Sequence, residues 1–313
     1  MSKKPGQRVV LVGAGRMGAD MALAFAKGGW HCSVVETATA NLERAKSYWQ
    51  AETHRLGWDQ ALTRLSCHSD LVDVEWGSVD LVIEVIPENL ALKHSLLASI
   101  DELANDNTVI ATNTSSLRIT EVTSVLKDPQ RAIGMHFGVP AHILPAVEVT
   151  RGNSTSDLTL DTVLEWLESL GKVPVVVQRD IPGQIINRLQ HAMYREIYHL
   201  IDEGIATPRD IDRAVRFGFG LKYSVVGPVA SRDIHGLPVH LAVSSQLYPT
   251  LHNDPAPPKI LSKLVEEGHK GVLTGQGFYS WPPETCSERM QQFALLMEEQ
   301  VKRIRKLGEP MDF

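Results

Sequence analysis

The sequence predicts a mostly parallel α/β sheet wrapped on both faces by helices, followed by a smaller all-α domain. Three observations carry that prediction. Short β-branched runs alternate with helix-period segments from Arg8 to about Val177, the pattern of consecutive βαβ units. A glycine-rich junction, GAGRMG at 13–18, links the first run to the first helical segment, which makes the sheet Rossmann-type. The texture then changes at RDIPG (179–183), beyond which apolar residues recur at helical spacing. The expected division is therefore 1–180 for a nucleotide-binding domain and 181–313 for a helical domain.

Arg8 to Val12 reads as a buried parallel strand, because its apolar run is continuous rather than alternating. Met17 to Lys27 follows as a helix closed by Gly28-Gly29, then a strand at His31–Glu36 and a helix from about Thr39. Further strands are expected at Leu65–His68, Val79–Ile86, Thr108–Thr112, Ala132–Phe137, Ala146–Val149 and Val173–Val177, with helices at about Leu90–Leu103 and Asp157–Leu170. In the second domain, QIINRLQHAMYREIYHLIDEG reads as an amphipathic helix ending at Gly204. Thr207-Pro208-Arg209-Asp210 then starts another, with threonine as cap and proline at the first position.

The 313 residues carry a formal charge of −6, which gives no global attraction to nucleic acid or anionic membrane. Three scattered cysteines lack metal-ligand spacing, so no metal is expected and the thiols read as reduced, in a cytoplasmic protein. The opening MSKKPGQRVV runs directly into the first strand, leaving no signal-peptide core, and no run is long enough to span a bilayer.

Glycines at 13, 15 and 18 allow a tight turn, close approach of a pyrophosphate to the backbone, and close helix–strand contact. Gly13, Gly15, Arg16, Met17 and Gly18 are thus the expected phosphate loop, at a helix N-terminus whose free N–H groups favour anions. Glu36 ends the second strand about 20 residues later, where an acid accepts from a ribose 2′-OH and repels a 2′-phosphate. NAD rather than NADP is the expected cofactor. Downstream, GMHF (134–137) is followed twelve residues after its histidine by Glu148. A histidine can take a hydroxyl proton near neutral pH, and a carboxylate partner fixes its tautomer and stabilises the imidazolium. The same residues could equally be a histidine satisfied by backbone and a solvated glutamate.

The order GAGRMG, EVIPENLALK, TNTSSL, GMHF, VEV, GQIINRL, GP and TGQGFY resembles the 3-hydroxyacyl-CoA dehydrogenase family over nearly the whole chain. The resemblance implies bound NAD, a helical domain that forms a homodimer, His136 as general base and Glu148 as its orienting partner. It implies that Ser115 and Asn187 hydrogen-bond the reacting oxygen, Ser115 also lying beside the cofactor, and that Glu88 and Lys93 contact the cofactor. Ordinary alternatives stay open: Ser115 as a turn cap, Asn187 as satisfying the first turn of its helix, and Glu88 with Lys93 as a solvated pair.

Three departures from the family pattern bear on substrate. HFGVP places Val139 where the family has asparagine, and LTG (273–275) lacks the usual lysine. The segment from Lys46 to Leu65 is short, with Arg55 and Arg64 as its internal cations, where the acyl-CoA enzymes carry a lysine-rich hairpin. A CoA 3′-phosphate needs concentrated positive charge, so a small free acid, oxidised at a hydroxyl or an aldehyde hydrate, is the expected substrate. The chain is similar in texture to family members that act on free hydroxy acids and on a pyridine carboxylate. In that light His142, Lys222, Arg232 and His235 are expected to grip a substrate carboxylate. The competing readings are a true (S)-3-hydroxyacyl-CoA dehydrogenase and a catalytically silent, crystallin-like NAD-binding protein.

Overall fold

A computed structural model describes residues 6–308. It forms two compact units, the first extending to Arg188 and the second starting at Leu189. This division of compact units falls eight residues beyond the expected domain boundary at 180. The reason is local: Gln184, Ile185, Ile186 and Asn187 all donate hydrogen bonds into the sheet domain.

The first unit holds one eight-stranded sheet: β1 (Arg8–Val12), β2 (His31–Val35), β3 (Leu65–His68), β4 (Leu81–Glu84), β5 (Val109–Thr112), β6 (Ala132–Phe137), β7 (Ala146–Thr150) and β8 (Val173–Val177). Its order is β3-β2-β1-β4-β5-β6-β7-β8. All neighbours are parallel except β6 and β7. Strand order reverses between β1 and β4, so the crevice beyond their carboxyl ends is the natural ligand site. Helices α1 (Arg16–Lys27), α2 (Thr39–Leu56), α3 (Leu90–Leu103), α4 (Ile119–Val122) and α5 (Asp157–Ser169) complete this unit.

Two buried clusters flank the sheet. On one face Leu11, Val34, Ile83, Met135, Phe137 and Val149 pack with α1 and α5; on the other Val10, Val82 and Ile110 pack with Leu97 and Ile100 of α3. Residues 18–26 of α1 are all buried, as expected of a helix enclosed between a sheet and a second helix. Gly57, at φ +67, stops α2 with a left-handed cap, and a short 3-10 turn at Asp59–Arg64 leads into β3. The second segment's short connection is therefore a single helix and a turn, not a long hairpin.

The chain continues in α6 (Ile186–Asp202), whose first turn belongs to the sheet unit. The second unit adds α7 (Pro208–Ala214), α8 (Gly220–Tyr223), α9 (Pro228–His235), α10 (Leu237–Leu247), α11 (Lys259–Glu266) and α12 (Pro283–Leu307). Thr207 caps α7 by accepting from the Asp210 N–H, with proline at the first position. Among its described residues only Ile211 and Ser231 are fully buried, while Phe217, Val229, Leu241 and Leu273 are exposed. No helix among the described residues is long and apolar enough to cross a membrane.

Candidate active site

Antiparallel pairing of β6 with β7 sets His136 directly opposite Glu148. Side chains alternate across a strand, so Met135, Phe137, Val147 and Val149 enter the core while His136 and Glu148 share the other face. Gly134 lies on that face too. A Cβ there would meet Ile119 Cδ1 at 2.5 Å, so the glycine makes room for α4. His136 Nδ1 lies 2.7 Å from Glu148 Oε2. Since a carboxylate accepts, Nδ1 carries the proton and Nε2 presents a lone pair.

Glu148 is fully buried, and its other oxygen accepts from the Ile185 and Ile186 N–H groups at 2.7 and 2.8 Å, at the start of α6. Burial pushes its carboxyl up, but the hydrogen bonds from His136, Ile186 and Ile185 outweigh that and hold it below the usual carboxylate value. The pair is thus an imidazole oriented by an ionised carboxylate that is itself fixed by backbone.

Asn187 and Ser115 meet as well. Asn187 Nδ2 donates to the Ser115 carbonyl at 3.2 Å. The turn is capped by Thr114, whose Oγ1 accepts from the Leu117 N–H, and Glu88 gathers the TNTSSL loop: its Oε1 accepts from Thr114 Oγ1, Ser116 Oγ and the Ser115 and Ser116 N–H groups. Burial raises the Glu88 carboxyl, yet those donors bring it down to about 2.

Lys93 requires a correction. It was expected to touch the cofactor, but its ammonium is enclosed, 2.7 Å from Glu84 Oε1, 3.3 Å from the Ile86 carbonyl and 3.3 Å from Glu88 Oε2. An ammonium has three donors, and all three are used. Lys93 acts on the loops beyond β4 and β5 only through these partners.

The phosphate loop sits at the carboxyl end of β1. Gly13 has φ +116 and its Cβ would lie 2.6 Å from the Val85 carbonyl; a Cβ on Gly18 would lie 1.9 Å from that of Gly13. At Gly15, by contrast, a Cβ would meet nothing within 4 Å, so that side of the loop is open to a ligand. Gly15 is also the N-cap of α1, with no side-chain cap and no acid in the first turn, which leaves backbone donors for an anion. Glu36 holds the loop from below, accepting from Ala14 N–H at 3.1 Å and Ala38 N–H at 3.0 Å. These residues fit a dinucleotide. The side chains of Arg16 and Met17 are employed elsewhere: Arg16 pairs with Asp20 at 3.3 Å and lies over the Tyr48 ring, and Met17 packs on the core. Their backbone is what remains for the cofactor.

The four expected carboxylate-gripping residues divide. His142 is buried in the sheet unit, its Nε2 bonded to Glu52 Oε1 at 2.9 Å and its Nδ1 3.4 Å from Asp20 Oδ1 without hydrogen-bond geometry, so two acids enclose the ring and would repel a substrate carboxylate. That corrects its assignment. In the second unit, Arg232 of α9 has a buried Nε without a hydrogen-bond partner, and no acid among the described residues pairs with its guanidinium. His235, on the same helix, donates from Nδ1 to the Ser231 carbonyl at 2.6 Å, and Lys222 is exposed on α8.

Sequence reasoning missed several organising residues. Glu84, fully buried, joins Lys93, the Ile86 N–H and Thr112 Oγ1. Asn113 Oδ1 accepts from the Phe137 N–H, fixing β5 to β6 beside the histidine. Gln184, at φ 49, donates to the Thr114 carbonyl and accepts from Thr150 Oγ1. The available signal was a charge or amide inside an apolar run, as in LVIEV.

Residues 8–181 match the family described as "3-hydroxyacyl-CoA dehydrogenase, NAD binding domain", and residues 183–281 match "3-hydroxyacyl-CoA dehydrogenase, C-terminal domain". The chain is 35% identical over 285 residues to the 5-formyl-3-hydroxy-2-methylpyridine 4-carboxylate 5-dehydrogenase of Mesorhizobium japonicum, covering 89% of this chain and 92% of the relative. A solved structure of an enzyme of that name, described as an NAD+ dependent dismutase, has a TM-score of 0.88 at 32% identity, covering 96% of this chain and 98% of that one. The (S)-3-hydroxybutyryl-CoA dehydrogenase of Ralstonia eutropha has a TM-score of 0.71 at 34% identity, covering 88% and 99%.

Proposed function

This chain belongs to the 3-hydroxyacyl-CoA dehydrogenase family of NAD-dependent enzymes acting on a CH–OH group, and from that premise we propose that it oxidises the hydroxyl, or aldehyde hydrate, of a small carboxylate-bearing substrate. The observation that carries the base assignment is the His136–Glu148 pair, 2.7 Å apart with Nε2 unengaged. Nε2 takes the hydroxyl proton as the C–O double bond forms, and Glu148 stabilises the resulting imidazolium. NAD, held by Gly13 to Gly18 and Glu36, supplies the acceptor for the hydride leaving the carbinol carbon. Ser115 and Asn187 support the developing oxyanion.

Three observations support a free acid over a thioester. The chain's TM-score is higher with the pyridine-carboxylate enzyme than with the acyl-CoA enzyme. Arg55, one of the two cations in the short segment, is engaged with Glu52 at 2.5 Å. Arg232 holds a buried, unpartnered Nε, an environment suited to an anionic group. The test is NADH oxidation with acetoacetyl-CoA beside small keto acids and aldehyde acids. Turnover confined to free acids supports the assignment; turnover of the thioester alone overturns it in favour of a true acyl-CoA dehydrogenase. His136→Ala should lose turnover by at least about a hundredfold while NADH still quenches protein fluorescence. A wild-type enzyme that binds NADH and turns over nothing would be the silent, crystallin-like case.

The second unit's exposed apolar residues and near-absence of fully buried ones support a homodimer, one copy covering the other. Its melting temperature should then rise with protein concentration. The three free cysteines suit a reducing cytoplasm.

A further inference from the structure

A second histidine–carboxylate cluster lies in the loop between the two catalytic residues, and the chemistry proposed above makes no use of it. His142 is buried between Asp20 of α1 and Glu52 of α2, at 3.4 and 2.9 Å. Nε2 bonds Glu52, while Nδ1 faces Asp20 without hydrogen-bond geometry, and the two carboxylates together favour the charged ring. Asp20 is itself fully buried and gathers further donors: Tyr48 Oη at 2.6 Å, the Ala141 N–H at 3.3 Å and Arg16 at 3.3 Å. Lys172 closes the opposite side, donating to the carbonyls of Ala141 and Leu144 at 2.5 and 2.8 Å. The connection from β6 to β7 is therefore held by charged groups from α1, α2 and the start of β8.

The placement matters because α1 follows directly on Gly15, its N-cap and the open glycine of the phosphate loop, and Arg16 and Asp20 are one helical turn apart. The same helix thus touches the cofactor loop at its first turn and the catalytic hairpin at its second. We propose that His142 is a positioning residue: bridging Asp20 and Glu52, it ties the loop between His136 and Glu148 to the cofactor-binding helix and so fixes His136 relative to the nicotinamide. This rests on the reading of His136 as the base. An error of about 1 Å in the placement of a reacting group can cost on the order of a hundredfold in rate without changing what binds.

His142→Gln keeps a donor and an acceptor but cannot bridge two carboxylates. We expect kcat to fall ~10–100-fold, with NADH affinity and substrate KM within about threefold of wild type. Glu52→Gln, altered on a different helix at the partly open edge of the cluster, should reproduce the same split and supplies the readout if His142→Gln does not fold. A loss of thermal stability with unchanged kcat per folded enzyme would overturn the proposal, reducing the cluster to packing. A rise in KM for acid substrates at unchanged kcat would also overturn it, restoring His142 as a carboxylate grip. His136→Ala, measured in parallel, separates the two readings: if it keeps turnover, the base assignment fails independently of anything seen at His142.

Discussion

Six residues apart on one hairpin, two histidines meet carboxylates and are put to opposite uses. His136 faces one acid and keeps Nε2 open; His142 lies buried between two acids, with no open side for a substrate. The first can exchange a proton with a substrate. The second can only hold its charge, and the burial that would discharge it is offset by the acids on either side. Lys93 obeys the same rule, its three donors spent on Glu84, Glu88 and a carbonyl. What separates a reacting group from a tie is the count of acceptors around it, which the residue type does not reveal.

Glu148→Gln tests the contrast between the two histidines with the largest expected effect. The amide oxygen can still accept from Ile185 and Ile186, so the fold should survive, but its NH2 then donates to His136 Nδ1, fixing the wrong tautomer, and no longer stabilises the cation. A loss of ~10²–10⁴-fold in kcat is expected, with thermal melting near wild type. Equal loss of stability and activity would mean that the His136 pair is as structural as the His142 cluster. Lys93→Met tests the other side of the rule. It strands Glu84 as a buried, uncompensated carboxylate, so unfolding experiments should show a loss of about 3–5 kcal/mol. A variant as stable as wild type would show that Glu84 needs no cation. Gly15→Ala separates folding from binding within the phosphate loop. Its Cβ meets nothing in the protein, so melting should not move, while NADH affinity should drop by at least about tenfold, or ~1.4 kcal/mol. Unchanged affinity would show that no ligand approaches the loop there.

The His136–Glu148 pairing was legible because it is local. A hairpin with twelve residues between partners can bring them face to face, and the alternation of Met135 and Phe137 with His136 settles which way the ring points. The phosphate loop was legible for the same reason: strand, turn and helix adjoin in the chain. The partners of His142 lie on α1 and α2, Glu52 being ninety positions away, and no periodicity or motif announces a pairing made by packing two helices against a loop. Lys93 looked like half of a solvated pair since Glu88 is near in sequence, whereas its strongest partner, Glu84, is hidden inside an apolar strand. Val139, which departs from the family's asparagine, is exposed at 55% beside the catalytic strand, and nothing in its surroundings explains the change.

The smallest effect, and the one that reads the comparison most directly, is the pH dependence of stability. The groups facing His142 are Asp20 on α1 and Glu52 on α2, with Tyr48 donating to Asp20, Arg16 paired to Asp20 and Arg55 to Glu52. Burial lowers the His142 pKa, but Asp20 and Glu52 raise it by more, so the folded value lies above the ordinary 6.5. A raised pKa contributes stability that is complete below the unfolded value and is lost as pH rises through the folded one. Glu52 works in the opposite sense: hydrogen bonding from Arg55, then His142, against the opposing effect of burial, brings it to about 2, so its contribution is intact above the ordinary 4.5 and is lost as pH falls from there through the folded value. The difference in melting temperature between wild type and His142→Gln should therefore be widest between these limits, near pH 5 to 6, and shrink as the solution is made alkaline. A difference that stays constant through pH 9 would mean that the His142 ring is neutral in the folded protein, and the distinction drawn between the two histidines would collapse to one of burial alone.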